Sequence, residues 1–171
     1  ASSEMEQSGS YLAHRGKQVA LDNFFNRETT TDAFGKTINW HYKWTEYGHP
    51  GFLFFGRGFT NQGATLTTVE EPTAESLRKA SVYIIVDPDI PKENKSPNYI
   101  GKKHIDAIGK WVKDGGVLLL MGNDSGNAEF EHFNQLAAQF GIQFDVNSVN
   151  RVQGTQWDMG TVRIPENNAV F

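Results

Sequence analysis

Two five-residue runs that are apolar almost throughout constrain the fold of this chain more than any other feature. The runs are Val82–Val86 and Val117–Met121, and a strand of this composition is typically buried on both faces of a sheet. The segment between them has the length of a helix and ends at Gly115-Gly116. Its apolar face consists of Ile100, His104, Ile105, Ile108, Trp111 and Val112. Strand, helix and strand in this order predict a doubly wound, mostly parallel, flavodoxin-like three-layer α/β sandwich.

Three further strands are predicted from shorter apolar stretches. Val19-Ala20-Leu21 precedes the polar pair Asp22-Asn23, and residues 65–69 have strand propensity. We also expect a fifth strand at residues 142–146, directly after Gly141.

Three more helices are predicted from the spacing of apolar residues and from capping residues. Phe52, Phe55 and Phe59 recur at helical spacing within residues 48–63,. Thr73 is a good N-cap for a helix that begins after Pro72,. The last apolar helical face contains Phe130, Phe133, Leu136, Ala137 and Phe140.

Composition excludes several classes of function. The chain has 171 residues and no cysteine, so disulfides, thiolate metal sites and a cysteine nucleophile are absent. Sixteen basic and twenty acidic residues give a net charge of −4, which provides no basic field for nucleic acid. No apolar run approaches the roughly 20 residues of a membrane-spanning helix, and the first residues lack a signal-peptide pattern. We therefore expect neither a nucleic-acid partner nor a membrane partner.

The first residues differ in character from the rest of the chain. Residues 1–7 have the composition of the end of a helix, and Ser8-Gly9-Ser10 is typical of a flexible linker,. We interpret residues 1–16 as the tail of a preceding domain with its linker, and residues 17–171 as the α/β domain. A domain of this kind is expected to continue with further strands after Phe171.

Polar residues follow three of the predicted strands, at Asp22-Asn23, at Asp87-Pro88-Asp89 and at residues 122–127. In an open parallel sheet, ligands bind beyond the carboxyl ends of the strands, so these residues are expected at one edge and in one cleft. The same residue types also end strands and cap helices, because their side chains satisfy free backbone N–H groups. Both interpretations stay open at this point.

The stretch from Asn123 to His132 is the most suggestive of chemistry. A buried strand leads through a glycine-containing turn into a helix, and Ser125 lies in that turn,. Ser125, His132 and Asp124 are therefore candidates for a catalytic triad, although Gly-x-Ser-x-Gly is not present and Ser125 is equally suited to capping,. A metal site from Asp87, Asp89, Asp124 and His132 has no supporting ligand spacing,. We expect no metal and no cofactor.

Aromatic residues are concentrated at Trp40-His41-Tyr42-Lys43-Trp44, with Tyr47 close behind. Aromatic faces stack on sugars, which makes His41 and Trp44 candidate ligand-binding residues. The alternative is that these rings close the end of the hydrophobic core.

Several strings together resemble a known family. The strings are Leu21-Asp22-Asn23-Phe24-Phe25-Asn26, Trp40-His41-Tyr42, Tyr83-Ile84-Ile85-Val86-Asp87-Pro88-Asp89, Pro97-Asn98-Tyr99-Ile100, Gly115-Gly116-Val117-Leu118 and Gly122-Asn123-Asp124-Ser125-Gly126-Asn127-Ala128-Glu129-Phe130-Glu131-His132-Phe133-Asn134. Over about residues 17–160 they resemble the domain that follows the catalytic barrel in some bacterial unsaturated glycuronyl and rhamnogalacturonyl hydrolases. That domain is similar to a class I glutamine amidotransferase.

The resemblance implies a glycoside hydrolase parent, with the hydrolase barrel as partner in the same chain and a periplasmic or extracellular location. It implies no catalysis by these residues. The amidotransferase cysteine is missing here, and the acids of the hydrolase belong to the barrel. A non-catalytic accessory domain is therefore expected, which packs on the barrel or weakly binds an acidic oligosaccharide of plant polysaccharide.

Two alternatives are a hydrolase in its own right that uses Ser125 and His132, and an interaction module without a ligand. Arg151 follows the predicted fifth strand and is expected to help bind an acidic sugar near the amino end of the last helix. The predicted ligand-binding set is Asp22, Asn23, His41, Trp44, Asp87, Asp89, Asn123, Asp124, Ser125, Asn127 and Arg151.

Overall fold

A parallel sheet of four strands forms the centre of the molecule. The computed structural model describes residues 16–124 and 126–147. The strands of the sheet are β1 (Gln18–Asp22), β4 (Thr65–Val69), β5 (Val82–Val86) and β6 (Val117–Met121), in the order β4-β1-β5-β6. All three pairings are parallel, with Val19 opposite Val82 and Val82 opposite Val117. These four strands were all predicted from the sequence.

The remaining elements within the described residues are four helices and a small hairpin. The helices are α1 (Leu53–Thr60), α2 (Ala74–Leu77), α3 (Lys102–Lys113) and α4 (Phe130–Ala137), and α4 continues into a 3-10 turn at Ala138–Phe140. The hairpin pairs β2 (Thr29–Thr31) with β3 (Thr37–Asn39) in antiparallel register. No described helix combines the length and the hydropathy that crossing a bilayer would require.

Alternate side chains of the strands enter two separate core layers. On one face Ala20, Tyr83 and Ile85 pack with residues of α2, α3 and α4. On the other face Leu21 and Ile84 pack with Phe52 and with residues of α1. The period of two along each strand assigns successive side chains to opposite layers. The predicted flavodoxin-like three-layer α/β sandwich is confirmed.

Helix boundaries follow from local chemistry. The Thr73 hydroxyl accepts the Ser76 N–H at 3.1 Å, and the Ser76 hydroxyl accepts the Thr73 N–H at 2.8 Å, which is a reciprocal cap for α2,. Gly115 ends α3 with a φ of +105°, and a Cβ on Gly116 would lie 2.2 Å from the Trp111 ring. The predicted N-cap at Thr73 and the predicted end of the α3 helix at Gly115-Gly116 are both confirmed.

The prediction of a fifth strand at residues 142–146 is wrong. This segment forms no strand because the Asn134 side chain takes both polar backbone groups of Phe144. Asn134 Nδ2 donates to the Phe144 carbonyl at 3.0 Å, and the Phe144 N–H donates to Asn134 Oδ1 at 2.8 Å. The Phe144 ring stacks on Phe133 with a 4.9 Å centroid separation. The segment therefore covers α4 instead of extending the sheet.

Candidate functional site

The three predicted polar strand ends lie at one edge of the sheet. β1, β5 and β6 are adjacent and parallel, so Asp22, Asp87 and Asn123 all follow carboxyl ends on the same side. Asp87 Oδ1 accepts the Asn123 N–H at 2.9 Å, and the Asn26 amide donates to the Asp87 carbonyl at 2.9 Å. After β1 the chain continues to β4 on one side of β1, and after β5 it continues to β6 on the opposite side. The topological switch point of the sheet therefore lies between β1 and β5.

Asp22 organises the loop that leaves β1. Its side chain is fully buried. Oδ2 accepts the N–H groups of Phe24, Phe25 and Asn26 at 3.2, 2.8 and 3.1 Å, and Oδ1 accepts the Tyr83 hydroxyl at 2.7 Å. Burial raises the pKa of Asp22 to about 6, although these hydrogen bonds act in the opposite direction. Asp22 therefore binds the protein's own backbone.

Asp89 connects the loop after β5 to the loop after β1. It is 1% exposed, and its Oδ2 accepts the Arg27 N–H at 2.9 Å and the Asn94 amide at 2.7 Å. Its Oδ1 has no hydrogen-bond partner among the residues described. Burial raises the pKa of Asp89 above its usual range, although the hydrogen bonds from Asn94 and Arg27 act in the opposite direction.

A buried lysine lies between these acids. Lys43 is 8% exposed, and its Nζ donates to the Asn26 carbonyl at 2.7 Å and to Asn26 Oδ1 at 3.1 Å. Burial lowers the pKa of Lys43, and the charges of Asp22, Asp89, Glu28 and Glu46 oppose that shift. Sequence reasoning missed this residue, because a lysine between aromatic residues gives no local sign that it is buried.

Three non-glycine residues with left-handed backbone meet above the sheet edge. The φ values are +63° at His41, +53° at Tyr42 and +48° at Asp87, a conformation that costs such residues energy and persists where surrounding contacts hold it. The Tyr42 hydroxyl donates to Asp87 Oδ2 at 3.3 Å. Burial raises the pKa of Asp87 to about 6 and also raises the pKa of Tyr42.

His41 is held from two sides. Its Nδ1 lies 2.6 Å from Glu28 Oε1, and its ring stacks on Trp40 at 3.9 Å between centroids. Trp40 is 37% exposed, so this stack forms part of the surface. Tyr42 and Trp44 instead pack against the buried residues around Leu21 and Ile84, as the core-closing interpretation predicted.

Asn23 and Trp44 lie apart from Asp87, on the β4 side of the edge. The Trp44 indole N–H donates to the Thr67 carbonyl at 2.8 Å, and Asn23 Nδ2 donates to both carboxylate oxygens of Glu70 at 2.9 and 3.0 Å. Both side chains line a cavity of about 390 Å³, together with Lys43 and the β2–β3 hairpin. The predicted ligand-binding residues therefore divide into two groups.

The turn before α4 is held by its own side chains. The Asp124 N–H donates to Asn123 Oδ1 at 2.9 Å, and Asp124 Oδ1 accepts the amide of Asn127. Glu129 caps α4 by accepting the N–H groups of Glu131 and His132 at 2.9 and 3.1 Å. Ser125 and Arg151 lie outside the described residues, so their predicted roles stay predictions.

The carboxylate beside His132 is that of Glu129. The alternative triad of Ser125, His132 and Asp124 stays a prediction, because Ser125 lies outside the described residues. His132 Nδ1 lies 3.2 Å from Glu129 Oε1, and the His132 ring stacks on Tyr99 at 4.8 Å between centroids. Asp124 is three residues from Asn127 along the turn and binds that amide instead.

The four residues considered for a metal site do not form one. Within residues 16–124 and 126–147, the ligand atoms that gather within 4.8 Å of one another belong to Glu129, Glu131 and His132. Both oxygens of Glu129 already accept N–H groups of α4. The three side chains are therefore close together because Glu129 caps α4.

The opposite, amino-terminal edge of the sheet carries a larger groove. Its volume is about 750 Å³, and Phe59, Trp111 and Val117 contribute to its lining. Lys17 lies on the same groove, directly where the described chain enters β1.

Comparisons with family models, with curated proteins and with solved structures find no match to this chain.

Proposed function

We propose that this chain is a non-catalytic accessory domain, which packs on the hydrolase barrel of a bacterial unsaturated glycuronyl or rhamnogalacturonyl hydrolase. The observation that carries the proposal is the groove at the amino edge of the sheet. Its apolar lining faces solvent, with Val117 58% exposed, and an apolar groove that is open to solvent is a candidate interaction site. A domain attached before residue 17 would lie next to it, because Lys17 is on the groove.

The hydrogen bonds of Asp22 at the other edge support a non-catalytic role for this residue. Asp22 accepts four hydrogen bonds, three from backbone N–H groups and one from the Tyr83 hydroxyl. A general base must reach a proton on a substrate, and an acid whose lone pairs hold the backbone does not meet that requirement. The clustered acids also oppose an acidic sugar at this edge through like-charge repulsion.

Association with the barrel tests the packing surface. We expect Val117→Asp to weaken binding of this chain to a separately produced barrel of such a hydrolase about tenfold or more, because a buried unpaired carboxylate is costly at an apolar interface. Calorimetric titration of the barrel with the chain measures the affinity.

Val146→Asp is the matched control, since Val146 is also 58% exposed and does not line the groove. Equal affinities for the two variants, or no association of the unsubstituted chain, would reject the groove as the packing surface.

The chain alone is expected to show no amidase, esterase or glycosidase turnover. It has no cysteine, and a serine is a poor nucleophile unless an adjacent base activates it. Assays with chromogenic amides, esters and unsaturated oligosaccharides measure this. Turnover that Ser125→Ala abolishes would establish the hydrolase alternative and overturn the non-catalytic assignment.

A further inference from the structure

The cavity of about 390 Å³ on the β4 side of the carboxyl edge has the lining of a small-molecule site. Clefts that bind small ligands start at about 300 Å³, so this cavity has room for one sugar unit. Its polar and aromatic lining residues are Asn23, Asn39, Lys43, Trp44, Thr45, Thr68 and Glu70. Leu21 adds an apolar surface at the end of β1. The lining therefore offers donors, acceptors and an aromatic ring within one small volume.

The walls are fixed by contacts that do not involve a ligand. Trp44 is held by its bond to the Thr67 carbonyl at 2.8 Å. Behind it lies Gly56, where a Cβ would come within 2.9 Å of the indole ring. Asn23 is held by its backbone N–H, which donates to the Val69 carbonyl at 2.9 Å, and by Glu70. A preformed wall of this kind loses little freedom when a ligand binds.

Two buried polar groups beside the cavity retain hydrogen-bonding capacity. Lys43 carries three ammonium hydrogens, and its bonds among the described residues go to two oxygens of Asn26. Asn23 is 2% exposed, and its Oδ1 has no partner in the described part of the chain. That oxygen has almost no accessible surface, so the ligand contacts proposed below involve Glu70, Asn39 and Lys43.

The charges of the lining select against a charged ligand. Glu70 and Lys43 carry opposite charges, so the formal charges of the cavity cancel. A carboxylate in the cavity would meet Glu70, and an ammonium group would meet Lys43. A sugar hydroxyl both donates and accepts and suits the mixed lining, and the less polar face of a pyranose ring can pack on an indole.

We propose that this cavity binds one neutral sugar unit through adjacent hydroxyl groups, which hydrogen-bond to Glu70, Asn39 and Lys43, with the ring against Trp44. The proposal rests on the accessory role suggested above and specifies a carbohydrate surface for it. It involves different residues from the groove at the amino edge.

Titration of ¹⁵N-labelled chain with methyl galactoside, methyl rhamnoside and galacturonate at millimolar concentrations tests this proposal by NMR. We expect at least one neutral glycoside to shift the indole N–H signal of Trp44 in a saturable way. Galacturonate should bind at least fivefold more weakly. The other three tryptophans serve as internal references, and Trp44→Phe assigns the signal.

Substitutions of lining residues test whether the shift of the Trp44 indole signal reports binding in the cavity. Asn39→Ala and Glu70→Gln should each weaken binding about fivefold, the effect of one lost hydrogen bond. Glu70→Gln keeps an acceptor for the Asn23 amide and so preserves the wall. Thr31→Ala is the matched control, because Thr31 is exposed in the same hairpin and does not line the cavity.

Several results would overturn the proposal: no saturable shift of Trp44, galacturonate binding as tightly as the neutral glycosides, or unchanged affinity in both Asn39→Ala and Glu70→Gln. None of these results alters the barrel association measured with Val117→Asp. Failure of the sugar site and failure of the accessory role are therefore distinguishable.

Discussion

Asp22→Ala is expected to lower the free energy of unfolding by about 4 kcal/mol, the largest effect of any single substitution considered for this chain. The change leaves three backbone N–H groups and the Tyr83 hydroxyl without their acceptor in a fully buried place. Each buried donor without a partner costs about 1–3 kcal/mol, and water that enters the space offsets part of the sum. Urea unfolding followed by far-UV circular dichroism measures the loss.

Two variants separate the contributions to this loss. Asp22→Asn retains one oxygen for the backbone N–H groups and should cost about 1–2 kcal/mol, whereas Tyr83→Phe removes one bond and should cost about 1 kcal/mol. An Asp22→Ala variant as stable as Asp22→Asn would show that Asp22 does not hold the loop after β1.

The chain is expected to lose stability as the pH rises from about 4 to about 6. Burial raises the pKa of Asp22 from 3.8 to about 6, so the folded state binds more protons than the unfolded state between these values. Stability is therefore greatest below the unfolded pKa and falls as the pH approaches the folded pKa. At 1.36 kcal/mol for each pKa unit, Asp22 alone contributes a fall of about 3 kcal/mol.

The measurement is the difference in unfolding free energy between the wild type and Asp22→Asn across this pH range. The difference is needed because other groups titrate as well. Burial raises the pKa of Asp87 in the same direction, and it lowers the pKa of His104, which removes stability as the pH falls. A pH profile of Asp22→Asn parallel to that of the wild type would contradict the assignment to Asp22.

The sheet was predictable because the residues of each strand are enough to identify it, without reference to the rest of the chain. Ile84 and Ile85 enter opposite core layers and are both fully buried, so β5 has to be apolar at successive positions. The segment at residues 142–146 alternates apolar and polar residues, as a strand with one buried face would, but it forms no strand. Asn134 on α4 instead hydrogen-bonds both backbone groups of Phe144. This hydrogen bonding depends on the position of α4 in the folded chain, so the pattern of apolar residues along the segment does not reveal it.

The β2–β3 hairpin was missed although its turn carries a signal. Asp32 Oδ1 accepts the N–H groups of Phe34 and Lys36 at 2.9 Å, and Gly35 has a φ of +80°. Aspartate followed three residues later by glycine is typical of such a turn. The flanking strands have three residues each and are largely exposed, so they lack the apolar alternation that identifies a strand.

The candidate site was predictable only in part. The polar ends of β1, β5 and β6 indicated the correct edge, because parallel strands end together. Glu28 and Lys43 were not predicted, since each is buried by partners distant in sequence from its own element. The separation of Asn23 and Trp44 from Asp87 depends on the position of the hairpin, which no local pattern specifies.

The bonds at the carboxyl edge join residues far apart along the chain. Asp22 and Tyr83 are 61 residues apart, as are Asn26 and Asp87, and Asn98 reaches the Phe24 carbonyl across 74 residues. The entropy of loop closure opposes such contacts until β1 and β5 are paired. Interactions that form after the rate-limiting step of folding act on the unfolding rate. We therefore expect substitutions at this edge to raise the unfolding rate more than they lower the folding rate.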